Sequence, residues 1–353
     1  MKKYQIVEIR DGDVRHAGSK AVSDVVTILE GERLQPLYIK TRRDNHGLKA
    51  KIVNQLGFYQ DWKVAYETIE EGSILFLQHP FHHRQIGREK FLKQLKEKKN
   101  IKIISLVHDV EELRNNGITN DKRHQEEFDF MLSIADQFIV HNPVMKEFFL
   151  SKGIAEDQLI CLGIFDYSTE QTINPPRFST SLIFAGNFAP PKSLFSSKLG
   201  ELIKLKFELY GPNYDNSHLT NNVVYHGSFP PDELPTQLNS GFGLVWDGDS
   251  LDECNGPWGN YLRYNNPHKL SLYLASGIPV VVWKSSALAG FVKDRQIGLT
   301  VDSLRDLEDL FATITETSYK TMSQNVANLS KELRSGTFTK QAFKQAVKNL
   351  ENE

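Results

Sequence analysis

Short, uniformly apolar runs alternate along this chain with longer stretches whose apolar positions recur every three or four residues. In the first half the runs are YQIVEI, LYIK, SILFLQ, IKIISLV and QFIVHN. They are too short for helices and too apolar to face water, so they predict strands joined by amphipathic helices. Such alternation is the pattern of a parallel sheet covered on both faces. It breaks after QLICLGIFDY, where residues 168–181, STEQTINPPRFSTS, carry no apolar period. A second series follows: SLIFAGN, KFELYGP, NVVYHGS, GFGLVW and IPVVVW, and then three helical stretches, DSLRDLEDLFATI, MSQNVANLSKELR and TFTKQAFKQAVKNLENE. The expected architecture is α/β, with two doubly wound Rossmann-like domains facing a central cleft. The first domain spans 1–167, a linker 168–181, the second domain 182–334, and a C-terminal helix, 335–353, is free to return to the first domain. Ligands of such sheets bind beyond the carboxyl ends of the strands.

Composition narrows the class. The chain has 353 residues, enough for two cores, with 40% hydrophobic and 24% charged residues. A net charge of −2 provides no basic field for nucleic acid. Cys161 and Cys254 are the only cysteines, expected as free thiols in a reducing compartment. The first residues place charge after only a few apolar positions, and no apolar run approaches the roughly 20 residues that span a bilayer. A cytoplasmic protein is expected.

The stretch YNNPHKLSLYLASGIPVVVW, 264–283, concentrates candidate chemistry. Pro267 suits the first turn of a helix, Asn265 and Asn266 are suitable caps, and Gly277 ends the helix before a buried strand. Lys269 then lies in the first turn, where a cation opposes the helix dipole and contributes little to folding, which suggests an anion beside it. Loops at the other strand ends carry Gly186 and Asn187, Gly211, Gly227 beside Tyr225, and Asp247. Taken singly, each glycine makes a tight turn; as a set they outline a pocket in which backbone N–H groups and Lys269 meet a phosphate.

In the first half, IKIISLV runs directly into His108 and Asp109, so both emerge at the cleft edge. Asp109 is a candidate base for an attacking hydroxyl or, alternatively, a helix cap. His16 is the second candidate base, with Gly18 and Ser19 after it admitting a sugar diphosphate to the next helix. His79 and His82, in QHPFHHRQ, are expected on an acceptor-binding wall with His108, and not as metal ligands. The pairs Asp11/Asp13 and Asp247/Asp249 have D-x-D spacing, but a lysine and a helix N-terminus neutralise a diphosphate without a divalent ion, so no metal or other cofactor is expected. REKFLKQLKEKKNIK, 88–102, gathers lysine on one helix. It is a solvated face, or, for a lipid-linked acceptor, a face that rests on anionic lipid.

The stretch GFGLVWDGDSLDECNGPWGNYLRYNNPHKLSLYLASGIPVVVWKSSALAGFV, supported by HAGSKAVSD and LVHDVEELR, resembles bacterial galactofuranosyltransferases of the β-1,6 type. More distantly the chain is similar to the glucosyltransferases acting on streptococcal serine-rich adhesins. The resemblance implies an inverting GT-B glycosyltransferase that moves galactofuranose from UDP-galactofuranose to a hydroxyl of a cell-surface glycan, of the O-antigen or capsule type. It implies a donor held by the second domain and an acceptor held by the first. It carries Lys269 onto the diphosphate and Asn265, Asn266 and Pro267 to the loop beside it. Where the adhesin enzymes have an arginine after a GN turn, this chain reads GNFAPPKS, with Lys192. The alternatives are a UDP-glucose or UDP-N-acetylglucosamine transferase acting on a glycoprotein glycan, a non-catalytic nucleotide- or glycan-binding partner of another transferase, and a sugar-nucleotide epimerase. Homo-oligomerisation is left open.

Overall fold

The computed structural model describes residues 1–9, 17–42, 47–81, 83–114 and 122–352, with residues 17–19 placed by backbone alone. Two six-stranded parallel sheets carry the chain. The first contains β1 (Lys3–Ile9), β2 (Gln35–Lys40), β3 (Ile74–His79), β4 (Lys102–Val107), β5 (Gln137–Val140) and β6 (Leu159–Cys161), in the order β2-β1-β3-β4-β5-β6. The second contains β7 (Arg177–Ala185), β8 (Lys206–Tyr210), β9 (Val223–Tyr225), β10 (Ser240–Val245), β11 (Val280–Trp283) and β12 (Gly298–Val301), in the order β12-β11-β10-β7-β8-β9. All registered pairs are parallel. β3 and β11 are buried at every position, as expected of central strands covered by helices on both faces. The edge strand β2 alternates buried and exposed residues instead.

Strand order reverses between β1 and β3 in the first sheet and between β7 and β10 in the second. These are the switch points where crossover helices diverge to opposite faces and leave a crevice. Three strands depart from the sequence expectation, of which β6 lies within QLICLGIFDY, read only as the stretch before the break. β7 starts at Arg177, inside the expected linker: Phe178 and Thr180 suit a strand, Arg177 pairs with Ser240 across a register shift, and Phe178 stacks on Tyr319 at 5.4 Å. β12 was not anticipated, because GLTV is short and half-buried.

The last helix, Thr337–Glu351, lies against the first sheet, where Phe343, Ala346, Val347 and Leu350 share a core with Ile74, Phe76, Ile104 and Leu106. The chain therefore passes between the sheets twice, and the two passages are bonded together. Tyr167 N–H donates to Leu333 O at 3.3 Å, and the Arg334 guanidinium donates to Gln171 O at 2.6 Å. Asp166, on the first passage, accepts the N–H groups of Phe338 and Thr339 at 3.2 and 2.6 Å, satisfying free donors at the start of the last helix. Burial pushes this carboxyl up to about 6. Gly336 turns the second passage at φ +75°, and a β-carbon there would come within 2.6 Å of Ile28.

Candidate functional site

At the switch point of the second sheet, β7 ends in Gly186 and β10 in Trp246 and Asp247. After β8, on the other side of β7, Gly211 adopts φ +134°, and a β-carbon on it would lie 1.9 Å from Gly186 O. Only glycine allows this approach. Gly211 N–H donates to Gly227 O at 2.8 Å, and the Tyr225 hydroxyl donates to Gly211 O at 2.7 Å, so Tyr225 braces the turn. Asn187 is exposed; its side-chain oxygen accepts from Ala189 N–H at 2.9 Å and from Asn213 at 2.8 Å, folding its own loop.

Lys269 lies in the first turn of its helix, as the sequence reading expects. It is buried, donating to Asp247 Oδ1 at 2.9 Å and Trp246 O at 3.0 Å, with its ammonium 4.4 Å from the Phe184 ring centroid. The anion beside this first-turn lysine is the Asp247 carboxylate. Burial lowers the Lys269 pKa against the pull of Asp247, and neighbouring Lys192 lowers it further. Lys192 is held nearby because its carbonyl accepts Gly248 N–H at 2.8 Å. Its ammonium lies 5.2 Å from the Trp258 ring centroid and has no carboxylate partner among the described residues. Two lysines, one compensated and one not, therefore converge on this switch point.

The helix carrying Lys269 runs His268–Ala275, with Pro267 as its N-cap rather than its first residue. Pro267 has an extended ψ of 132° and cannot be helical there. Asn265 and Asn266 do not cap it, a correction to the sequence expectation. Asn266 reaches the first domain instead: its amide donates to His141 O at 2.8 Å and Gly163 O at 3.0 Å, and its oxygen accepts from Asn142 at 2.8 Å. Its backbone N–H donates to His141 Nδ1 at 2.9 Å, while His141 Nε2 donates to Val107 O at 3.0 Å. Burial lowers the His141 pKa to about 4, consistent with a neutral ring that accepts at one nitrogen and donates at the other. Asn142 also caps the helix Pro143–Ser151 and donates to Tyr264 O at 2.9 Å. This cluster fastens the second-domain loop to the end of β5. Asn265 is half-buried, and its side-chain oxygen has no hydrogen-bond partner among the described residues.

Beside this seam, Asp109 is half-buried and ion-paired with Arg114 at 2.6 Å, while Arg114 also bonds Glu111 at 2.7 Å. The guanidinium lies 4.9 Å from the Trp258 and 5.1 Å from the Tyr261 ring centroids. The Tyr261 hydroxyl accepts Val110 N–H at 2.9 Å, joining the helix Gly256–Tyr261 to the turn after Asp109. Trp258 thus has Arg114 and Lys192 within cation–π reach, linking the Asp109 neighbourhood to the lysine pair. His108 stacks on Phe165 at 5.2 Å and bonds Gln78 at 2.7 Å. His79, expected on the acceptor wall, is buried at 4% exposure with Nδ1 3.9 Å from Glu127, because it ends the fully buried β3. His16 and His82 lie outside the described residues. Gly18 and Ser19 fall in the first turn of the helix Ala17–Glu30.

No group of three or more His, Cys, Asp or Glu side chains able to hold a metal occurs among the described residues. The pair Asp247/Asp249 does not converge: Asp247 turns to Lys269 and Asp249 accepts from Asn255 at 2.7 Å. Asp11 and Asp13 lie outside the described residues. Sequence reasoning missed Arg114, Trp258, Tyr261, His141 and Asn142. For the last two a signal existed, since they follow QFIV as His108 and Asp109 follow IISLV. The other three act across domains, which spacing along a chain does not encode.

Residues 3–164 match the glucosyltransferase 3-like N-terminal domain family, and residues 182–346 the glucosyltransferase 3-like C-terminal domain family. The chain is 34% identical over 255 residues to the beta-1,6-galactofuranosyltransferase WbbI of Escherichia coli, covering 70% of this chain and 72% of that protein. It is 27% identical over 281 residues to glucosyltransferase 3 of Streptococcus gordonii, covering 79% and 80%. Among solved structures, the sucrose-phosphate synthase of Thermosynechococcus elongatus superposes over 100% of both chains with a TM-score of 0.66 at 12% identity, a likeness of fold.

Proposed function

The chain belongs to the glucosyltransferase 3-like family of glycosyltransferases, and from that premise we propose that it transfers galactofuranose from UDP-galactofuranose to a hydroxyl of a cell-surface glycan, with inversion. The observation that carries the reading is the chain of contacts Asp109–Arg114–Trp258–Lys192 across the two domains. It sets a carboxylate from the first sheet beside cations at the switch point of the second. In this reading the diphosphate sits against Gly186 and Gly211, with its charge met by Lys269, Lys192 and the N–H groups opening the helix His268–Ala275. Asp109 takes the acceptor proton as the new bond forms on the face of the anomeric carbon opposite the departing UDP. Arg114 fixes the orientation of that carboxylate. The diphosphate needs no divalent ion, and the acceptor is a lipid-linked glycan presented at the cytoplasmic face of the membrane.

The identity to WbbI supports galactofuranose as the sugar. A second reading, transfer of glucose or N-acetylglucosamine to a glycoprotein glycan, has support from the 27% identity to the streptococcal enzyme. Incubation with a panel of UDP-sugars and a glycoside acceptor, followed by product NMR, tests both. A β-linked galactofuranosyl product is expected. Preferential use of UDP-glucose favours the second reading, and UDP binding without turnover removes both.

A further inference from the structure

The helix Leu48–Thr68 buries Ala50, Asn54, Gly57, Phe58, Trp62 and Ala65, yet a second face of the same helix is apolar and uncovered. Leu48, Ile52, Leu56 and Tyr59 follow one another at helical spacing and are exposed by 75%, 51%, 68% and 37%. Ile86, 53% exposed, lies beside them. The Gln55 side chain accepts Ile86 N–H at 2.9 Å and donates to Arg84 O at 2.6 Å, which fixes that loop against the stripe. Lys90, from the next helix, lies 5.6 Å from the Tyr59 ring centroid. Single exposed apolar residues are ordinary; five in one strip are not.

Charge selects the occupant. Lys49, Lys51 and Lys63, on the same helix, and Lys90, beside Tyr59, are all exposed around the strip. The helices Leu48–Thr68 and Arg88–Lys99 together carry nine basic and four acidic residues, and an excess of basic charge remains after Arg88 and Lys96 are set against Glu127 and Asp136, within a chain whose net charge is −2. A second copy docked on the same patch through a twofold axis would set lysine against lysine. An anionic lipid surface satisfies both features, taking apolar side chains among its acyl chains and lysines among its headgroups. Topology places the patch usefully. In a parallel sheet the helix after each strand starts at the carboxyl edge, so the first turns of Leu48–Thr68 and the loop holding Ile86 lie on the edge that carries His108 and Asp109.

We propose that the strip Leu48–Ile52–Leu56–Tyr59 with Ile86, rimmed by Lys49, Lys63 and Lys90, docks this protein on anionic phospholipid, holding the Asp109 edge toward the membrane. The choice of occupant rests on the reading of a lipid-linked acceptor. Flotation of the full chain with vesicles of phosphatidylcholine alone, or mixed with phosphatidylglycerol, reads the docking without donor or acceptor. Wild type floats with the anionic vesicles only. Ile52→Glu/Leu56→Glu lowers that affinity about tenfold or more, and Lys49→Gln/Lys90→Gln lowers it about fivefold for each lysine. Circular dichroism is unchanged in both, since every altered side chain is exposed. Equal or absent flotation on the two vesicle types overturns the proposal, as does unaltered flotation of both variants. A strip variant that changes an oligomer to a monomer while still floating like wild type identifies a protein interface instead and also overturns it. Vesicle binding without galactofuranosyl transfer refutes the enzymatic reading alone, and normal transfer to a soluble acceptor without vesicle binding refutes the docking alone.

Discussion

Replacing Lys269 with methionine separates two roles that the structure superimposes on one ammonium. The group lies 2.9 Å from Asp247 Oδ1, with Lys269 9% and Asp247 5% exposed. At an effective dielectric of about 20, that separation corresponds to about 6 kcal/mol of attraction. Dehydrating the ions costs several kcal/mol each, so the intact pair contributes little net stability. Removing the lysine alone strands a buried carboxylate, at a cost of about 3–5 kcal/mol. Lys269→Met should therefore lower the urea midpoint strongly, and Lys269→Met/Asp247→Asn should recover most of the loss. UDP affinity measured by titration calorimetry should not recover in parallel. If the ammonium bonds the diphosphate, both variants bind UDP about ten- to hundredfold more weakly, as expected for a lost charge-assisted contact. A folded double variant with wild-type UDP affinity would refute the phosphate role and leave Lys269 a purely structural partner of Asp247. Equal stability of wild type and Lys269→Met would refute the ion-pair argument.

Asp109→Asn should keep UDP affinity and an acceptor for Arg114 but lose about 10²- to 10⁴-fold in turnover at saturating substrates; near-normal turnover would transfer the base role to His16. Transfer and UDP binding should survive EDTA, and a loss restored by manganese would reassign the diphosphate to a metal. His141, lowered to about 4 by burial, contributes stability that is present above its unfolded pKa of 6.5 and lost as pH falls toward 4. The stability gap between wild type and His141→Gln should thus shrink by about 2 kcal/mol between pH 7 and pH 5 in denaturant titrations. Asp24, buried on the helix Ala17–Glu30 and paired with Lys20, and Asp166, both raised to about 6 by burial, act oppositely, their contribution being full below 3.8 and lost as pH rises through about 6. The comparison must therefore be made against the variant rather than read from wild type alone.

The sheets were legible because central strands of a parallel sheet are apolar at nearly every position, so SILFLQ and IPVVVW announce themselves. β6 and β12 were not, since LIC and GLTV lie at sheet edges, where burial is partial and periodicity has too few residues to register. For the site, Lys269 was read as a cation with an anion beside it; the carboxylate it meets stands 22 positions away, and only the crossover of the helix onto β10 brings them together. Asn266 shows the same limit from the other side. Its type and place before Pro267 suit a cap, yet its donors answer carbonyls of the first domain, which no local pattern can specify. Arg114 and Trp258 carried no signal at all, because their meaning is a contact between lobes.

The two passages of the chain between the sheets, at Tyr167 and at Arg334–Gly336, run side by side and are bonded to each other. A lone tether would let the halves twist as well as tilt. Two adjacent strands of backbone resist twist, because turning one half about the connecting line winds the tethers around each other. What remains is a swing, like a book opening on its spine. Along that direction the same second-domain residues, Asn266 foremost, face the same strand ends of the first. The facing of the two sheet edges is then set by backbone connectivity, and the bonds among Asn266, His141 and Asn142 hold it.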